Sequence, residues 1–311
     1  MRFTKMTGAG NDFIVADAEA WARASESVAS LCDRRYGIGA DGLMAISPPP
    51  RITVAFYNAD GSGDMLCGNG ARCALVYAAR RGWAAYGEGI SFEFAGRPYR
   101  GVALGPDRSR FELNPRYSTR LEEGVEIDGA RADGRFVDLG SPHFIVDIGE
   151  LELGGAPAYR AGPHGLGPAA YPSPSAAYPG PSAAYPSPSA AYPSPAAALA
   201  ALDLNRLGPA FRRHARFGPE GANLSVCALE GGLVHIRTFE RGVEAETLAC
   251  GTGSTAAALS YALRGLARPP VGVRTRSGET LVVDFNDARE PGRLTLEGPA
   301  RAVFEGETEA S

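Results

Sequence analysis

Two cysteines of this chain sit in matched surroundings. Residues 65–74 read MLCGNGARCA and residues 248–257 read LACGTGSTAA, so Cys-Gly-x-Gly occurs twice, each time opening an alanine-rich stretch. A thiol at a helix N-terminus faces the positive end of the dipole and several N–H groups without helical partners. Both favour the thiolate and draw the thiol below its free value of about 8.5. Flanking glycines let a ligand approach the backbone closely, and the same N–H groups seat a carboxylate. Two such ends facing one another would offer two thiols to opposite faces of one small anion. One thiolate would take the proton of a carbon acid, the opposing thiol would return one to the other face, and the centre would invert. A disulfide between Cys67 and Cys250, or a redox switch made of the pair, is the competing reading.

The elements that must position these thiols repeat as well. Fourteen residues past each cysteine stands an arginine, Arg81 and Arg264, followed by Gly82 and Gly265. A glycine there suits the C-terminal stop of a helix. The spacing predicts one helix used twice, running through ARCALVYAAR and STAAALSYAL. A helix apolar almost all round is buried, which strands on several sides would achieve. The remainder reads as short strands with turn signals: RITVAFYN, ISFEFAG, SRFELNP, RFVDLG, HFIVDIG, LVHIRTFE, VGVRTRSG, TLVVDFND and RLTLEG. The expected fold is α/β of the α+β type, in two pseudo-symmetric halves, each a set of strands wrapped around a central helix. The halves are expected at 1–117 and 118–296, with 297–311 a strand returning to the first.

One segment stands apart. Residues 169–196 are four tandem heptads, AAYPSPS, AAYPGPS, AAYPSPS and AAYPSPA. Proline at this density excludes helix and central strand and points to polyproline-II or disorder. The stretch of about 155–198 is therefore set outside the fold. It reads as a surface insertion, a docking stretch for a Pro- or Tyr-binding partner, or a linker.

Composition narrows the classes of function. A hydrophobic content of 44% across 311 residues suits a globular protein with a core, and a net charge of -4 offers no broad basic surface to nucleic acid. No apolar run reaches the roughly 18 residues of a transmembrane helix, and the N-terminus has no signal core. Five cysteines, with no C-x-x-C pair, fit reduced thiols in the cytoplasm better than disulfides or zinc. Cys32, Cys73 and Cys227 read as core. GIGADG, residues 37–42, fits G-x-G-x-x-G, but it follows the charged LCDRRY and leads into a strand-like run, so a dinucleotide site is discounted.

Five motifs in order, KMTGAGNDF, RRYGIGADGLM, FYNADGSGDMLCGNGARCA, GSPHFIV and FERGVEAETLACGTGSTAAA, resemble those of the diaminopimelate epimerase family. The resemblance covers about 1–150 and 200–305. It implies an epimerase acting between LL- and meso-diaminopimelate in lysine biosynthesis. The active site would lie in the cleft between two pseudo-symmetric halves, with neither pyridoxal phosphate nor metal. Cys67 and Cys250 match the family's catalytic pair, with His143 and Glu240 flanking them and assisting proton handling. Arg241 matches a carboxylate-binding arginine; Asn11, Asn58 and Asn223 match amides gripping the distal amino-acid end. The seat amides would be Gly68 and Asn69 in one half, Gly251 and Thr252 in the other. The partner is a small amino-acid substrate, and family members are often homodimers.

Three positions depart from the family pattern. Thr7 stands where many members have histidine, Ser141 where many have asparagine, and Gly42 where some carry a substrate-contacting glutamine. These keep two rivals in view: a two-thiol racemase of another amino acid such as histidine, and an amino-acid-binding protein without turnover.

Overall fold

The computed structural model describes residues 1–22, 27–63, 66–114, 116–159 and 192–308. The chain forms two compact units: Met1–Asn114 with Leu248–Gly251 and Ser277–Ser311, and Pro115–Thr247 with Thr252–Arg276. The return to the first unit thus begins at Ser277 rather than 297. The reason is strand pairing: Thr280–Phe285 and Leu294–Pro299 form an antiparallel pair, and the latter pairs with Arg108–Leu113.

In the first unit Arg2–Gly8 runs antiparallel to Asn11–Asp17, which is parallel to Gly42–Ser47. Gly42–Ser47 is antiparallel to Ile52–Asn58, which is parallel to Gly89–Phe94. The second unit repeats this sequence of directions. Ala130–Asp138 is antiparallel to Pro142–Asp147, which is parallel to Asn223–Glu230. Asn223–Glu230 is antiparallel to Leu233–Glu240, which is parallel to Val271–Arg274. In both, the thiol-led helix enters after the fourth strand of the series, which is the internal repeat written in three dimensions.

The two helices, Gly68–Arg80 and Gly251–Leu263, are 13 residues each. The first is buried from Asn69 through Ala79, packed against Arg108–Leu113, Arg2–Gly8 and Arg97–Gly105. The second buries Ala256, Ala257, Ala258, Leu259 and Tyr261. Around the first helix strands close on several sides, and alanine, a small, strongly helix-forming side chain, lets them approach. Both helices end alike. Gly82 and Gly265 adopt φ of 73° and 72°. Gly82 N–H donates to Ala79 O and Trp83 N–H to Ala78 O; Gly265 N–H donates to Ala262 O and Leu266 N–H to Tyr261 O. This is the Schellman closure, and the positive φ is why glycine stands there.

The second unit also holds two helices absent from the sequence expectation, Pro195–Ala201 and Leu204–Arg212. Leu199, Leu204, Leu207 and Phe211 pack with Phe144, Phe217 and Phe239 in its core. The boundary of about 155–198 is corrected accordingly. Ala156–Pro157 pairs with Leu151–Leu153, and the last heptad supplies Ser194, whose hydroxyl accepts from Ala197 N–H at 3.2 Å, with Pro195 in the first turn. Ser-Pro is a good helix start, so the repeat's own chemistry opens a helix once leucines follow. Residues 160–191, and with them the docking and linker readings, lie outside the described residues.

Candidate active site

Cys67 caps its helix. Its backbone is extended and its sulfur accepts from Gly70 N–H at 3.4 Å. Cys67 is half-buried, and Cys250, one residue before its own helix, is 8% exposed. The two Cys-Gly turns meet glycine to glycine. A Cβ placed on Gly251 would lie 3.6 Å from Gly68 Cα and 3.0 Å from Leu296 Cδ2. Within the first unit, the residue after Cys250 thus lies against the residue after Cys67.

Asn69, in the first turn, ties this region together. Its Nδ2 donates to Asn11 Oδ1 at 2.6 Å and to the carbonyl of Ala249, the residue before Cys250, at 3.1 Å. Asn11 in turn donates to Asp41 Oδ2 at 2.9 Å, and Arg34 bonds Asp41 and Asp12. Asp12 resists its partial burial: hydrogen bonds from Arg34 and Lys5 hold its carboxyl down at about 2. Asn58 closes the turn after its strand, its Nδ2 donating to Ser62 Oγ at 2.9 Å. Thr7 donates to Asn11 O at 3.0 Å.

The second unit makes a counterpart of the Asn69–Asn11 contact. Thr252 Oγ1, also in a first turn, lies 3.0 Å from His143 Nε2, near the start of the second strand of its series. His143 is fully buried, and burial, with Arg241 adding repulsion, pushes its imidazole down to about 3. Asn223 Nδ2 lies 3.3 Å from Nε2 and is a donor, so Nε2 is the accepting nitrogen. Nδ1 then carries the hydrogen and donates to Ser225 Oγ at 3.1 Å, which meets Thr238 Oγ1 at 3.1 Å.

Asn223 turns its amide inward, Nδ2 lying 3.1 Å from Ser141 Oγ and 2.9 Å from Pro142 O while Oδ1 accepts Arg241 N–H at 2.7 Å. Arg241 reaches Glu220 Oε2 at 2.7 Å, a carboxylate 81% exposed. Glu240 accepts from the Thr247 hydroxyl. Asn11, Asn58, His143, Asn223 and Glu240 therefore all sit within a residue of a strand end, where loops gather. Cys32, Cys73 and Cys227 are buried, and burial pushes their thiols up, to about 11 for Cys32 and about 12 for Cys73. Among the described residues no cluster of three or more His, Cys, Asp or Glu is arranged to hold a metal, and no helix is long and apolar enough to cross a membrane. GIGADG leads from a turn into the strand Gly42–Ser47, the wrong order for a phosphate-binding helix start.

Sequence reasoning passed over Arg72, Asp41, Ser225 and Thr238. The signal for Arg72 was present: an arginine standing directly before the apolar run CALVYAA.

Comparison with known proteins decides the family. The diaminopimelate epimerase family profile matches residues 3–93 and 198–303. The diaminopimelate epimerase of Aquifex aeolicus is 32% identical over 98% of this chain and 97% of its own. That of Chlorobaculum tepidum is 34% identical over 97% of this chain and 98% of its own. This chain belongs to the diaminopimelate epimerase family. It is thus an isomerase of the cofactor-independent amino-acid epimerase superfamily. Solved structures share the fold. A probable proline racemase from Agrobacterium radiobacter superposes with a TM-score of 0.60 at 15% identity, covering 100% of this chain and 93% of its own. A hydroxyproline epimerase from Agrobacterium vitis gives 0.61 at 13%, covering 98% and 91%. The two pseudo-symmetric strand-and-helix halves are the fold shared with these solved structures.

Proposed function

We propose that this chain interconverts LL- and meso-diaminopimelate by proton transfer at one α-carbon, with Cys67 and Cys250 as the acid–base pair. One thiolate takes the α-proton and becomes a thiol. The opposite thiol gives its proton to the other face and becomes a thiolate, so the enzyme ends with one of each. The carrying observation is the glycine-to-glycine meeting of two cysteine-led helix starts. The N–H groups of Gly68, Asn69, Gly251 and Thr252 would seat the α-carboxylate and stabilise the charge that grows on it. Arg241 would take a carboxylate in place of the exposed Glu220, since such a surface pair is worth only about 0–1 kcal/mol. His143, neutral at working pH, would hold the Thr252 hydroxyl rather than carry the proton. Glu240 would assist proton handling, Asn11 and Asn58 would grip the distal end, and Asn223 would act by fixing Arg241. Two working thiols require a reducing compartment, which the cytoplasm provides.

One observation favours a second reading, a two-thiol racemase of another amino acid. A Cβ at Gly42 would fall 2.5 Å from Tyr57 O, so the glutamine that some family members carry there has no room.

The test is incubation with LL-diaminopimelate in D₂O, following α-deuterium uptake and the meso isomer. Uptake with inversion, lost in Cys67→Ala and in Cys250→Ala, is expected. Folded, reduced enzyme that takes up no deuterium would remove this substrate, and a panel of amino acids would then test the second reading.

A further inference from the structure

An arginine is buried on the Cys67 helix with no acid beside it. Arg72 has 0% exposure. Its Nε donates to Pro299 O at 3.4 Å, its Nη1 to Gly68 O at 3.2 Å and its Nη2 to Asn69 Oδ1 at 2.6 Å. All three acceptors are neutral, and among the described residues no carboxylate forms an ion pair with it. Its guanidinium folds back to the helix N-terminus, where the dipole disfavours a cation. A charge removed from water in this way calls for a countercharge.

The ionisable groups facing Arg72 are Cys67 and Cys73 on its own helix and Arg108 on Arg108–Leu113. Arg108 is paired with Glu297 of Leu294–Pro299 at 2.6 Å. On the other strands packed against the helix, Lys5 is paired with Asp12, Asp17 with Arg81 and Glu305 with Arg80. Arg97–Gly105 brings Tyr99, whose phenol burial pushes up and keeps neutral. Cys73 is likewise neutral. Burial pulls Arg72 down only to about 10, so it stays charged at neutral pH. Among the described residues, Cys67 is then the group whose ionisation would balance the buried cation. The other helix has no equivalent: its fifth residue, where Arg72 stands in the first, is Thr255.

We propose that Arg72 is the positioning residue that makes the two thiols unequal, the buried countercharge that holds Cys67 as the resting thiolate and leaves Cys250 the resting thiol. This rests on the two-thiol reading and adds to it which thiol starts as base. Through Asn69 the same arginine also braces the backbone before Cys250, so its charge must be separated from its bracing.

The experiment is iodoacetamide alkylation of substrate-free enzyme across pH, with Cys67 and Cys250 scored separately by peptide mass spectrometry. The wild-type midpoint of Cys67 should lie below that of Cys250. Arg72→Met should raise the Cys67 midpoint by about one unit, which slows its labelling roughly tenfold at pH values below both midpoints, and leave Cys250 in place. Arg72→Lys, which keeps the charge, should retain most of the wild-type midpoint. A folded Arg72→Met enzyme with an unmoved Cys67 midpoint overturns the proposal, as does an equal shift at Cys250 or a lysine variant no better than methionine. If Arg72→Met does not fold, the wild type decides: a Cys67 midpoint at or above that of Cys250 overturns it. No turnover enters these readings, so absent deuterium exchange beside a low Cys67 midpoint would sink the epimerase reading alone.

Discussion

The buried imidazole of His143 makes a prediction that can be worked from the structure. Burial first, then repulsion from Arg241, takes it from 6.5 to about 3. In the unfolded chain it titrates near 6.5. Between these values the unfolded chain binds a proton that the folded chain refuses, so stability falls as pH falls. From 6.5 to pH 5 is about 1.5 units, and at about 1.36 kcal/mol per unit the loss is about 2 kcal/mol. Above pH 6.5 the contribution is complete. The perturbation is His143→Gln, which abolishes the titration while costing about 1–3 kcal/mol at every pH through the hydroxyls of Ser225 and Thr252 left behind. The assay is urea unfolding of both proteins at pH 7 and pH 5, read on the transition of the second unit. The decisive quantity is the difference of differences, in which His235, also shifted down, cancels because both proteins carry it. Wild type should lose about 2 kcal/mol more than the variant between the two pH values. Equal losses within about 0.5 kcal/mol would refute a neutral buried imidazole. They would reopen the reading of His143 as a proton carrier.

Two further outcomes are expected. Gly251→Ala puts a methyl 3.0 Å from Leu296, while Gly68→Ala meets nothing nearer than 3.5 Å. The first should therefore cost about 1–3 kcal/mol by overpacking, with a fall in kcat, and the second less than half of that, as chemical unfolding and turnover would show. A variant lacking residues 169–189 keeps Ser194 and should match wild type in Tm and kcat. One lacking 169–196 loses the cap at Ala197 N–H and should be about 1 kcal/mol less stable, visible as a lower Tm for the second unit.

Much of the fold was legible because its punctuation is covalent. Cys-Gly at the start and Arg-Gly at the end frame each helix, and Gly82 and Gly265 are fixed by a backbone angle that other residues resist. The alternating runs that read as strands hold as strands for the same local reason. Less legible were the helices at 195–201 and 204–212, hidden behind a proline-rich repeat whose last Ser-Pro changes meaning once Leu199 finds a core. Composition alone could not mark where the repeat stops being excluded from folding.

What the linear sequence could not carry is how the two helix starts differ. Aligned on their cysteines, Asn69 lies over Thr252 and Arg72 over Thr255. As letters these are ordinary differences between diverged repeats. In space Asn69 bonds Asn11 from 58 positions away, and Thr252 bonds His143 from 109. One frame thus orients each helix start against a strand end, once through two amides and once through a hydroxyl and a neutral ring. Only the first carries a buried cation. Each turnover exchanges thiol and thiolate, so the chemistry runs from either form, and asymmetry within the repeat sets which form the free enzyme holds. The place to look for that asymmetry is where the halves disagree beside the thiols, at Arg72 and Thr255.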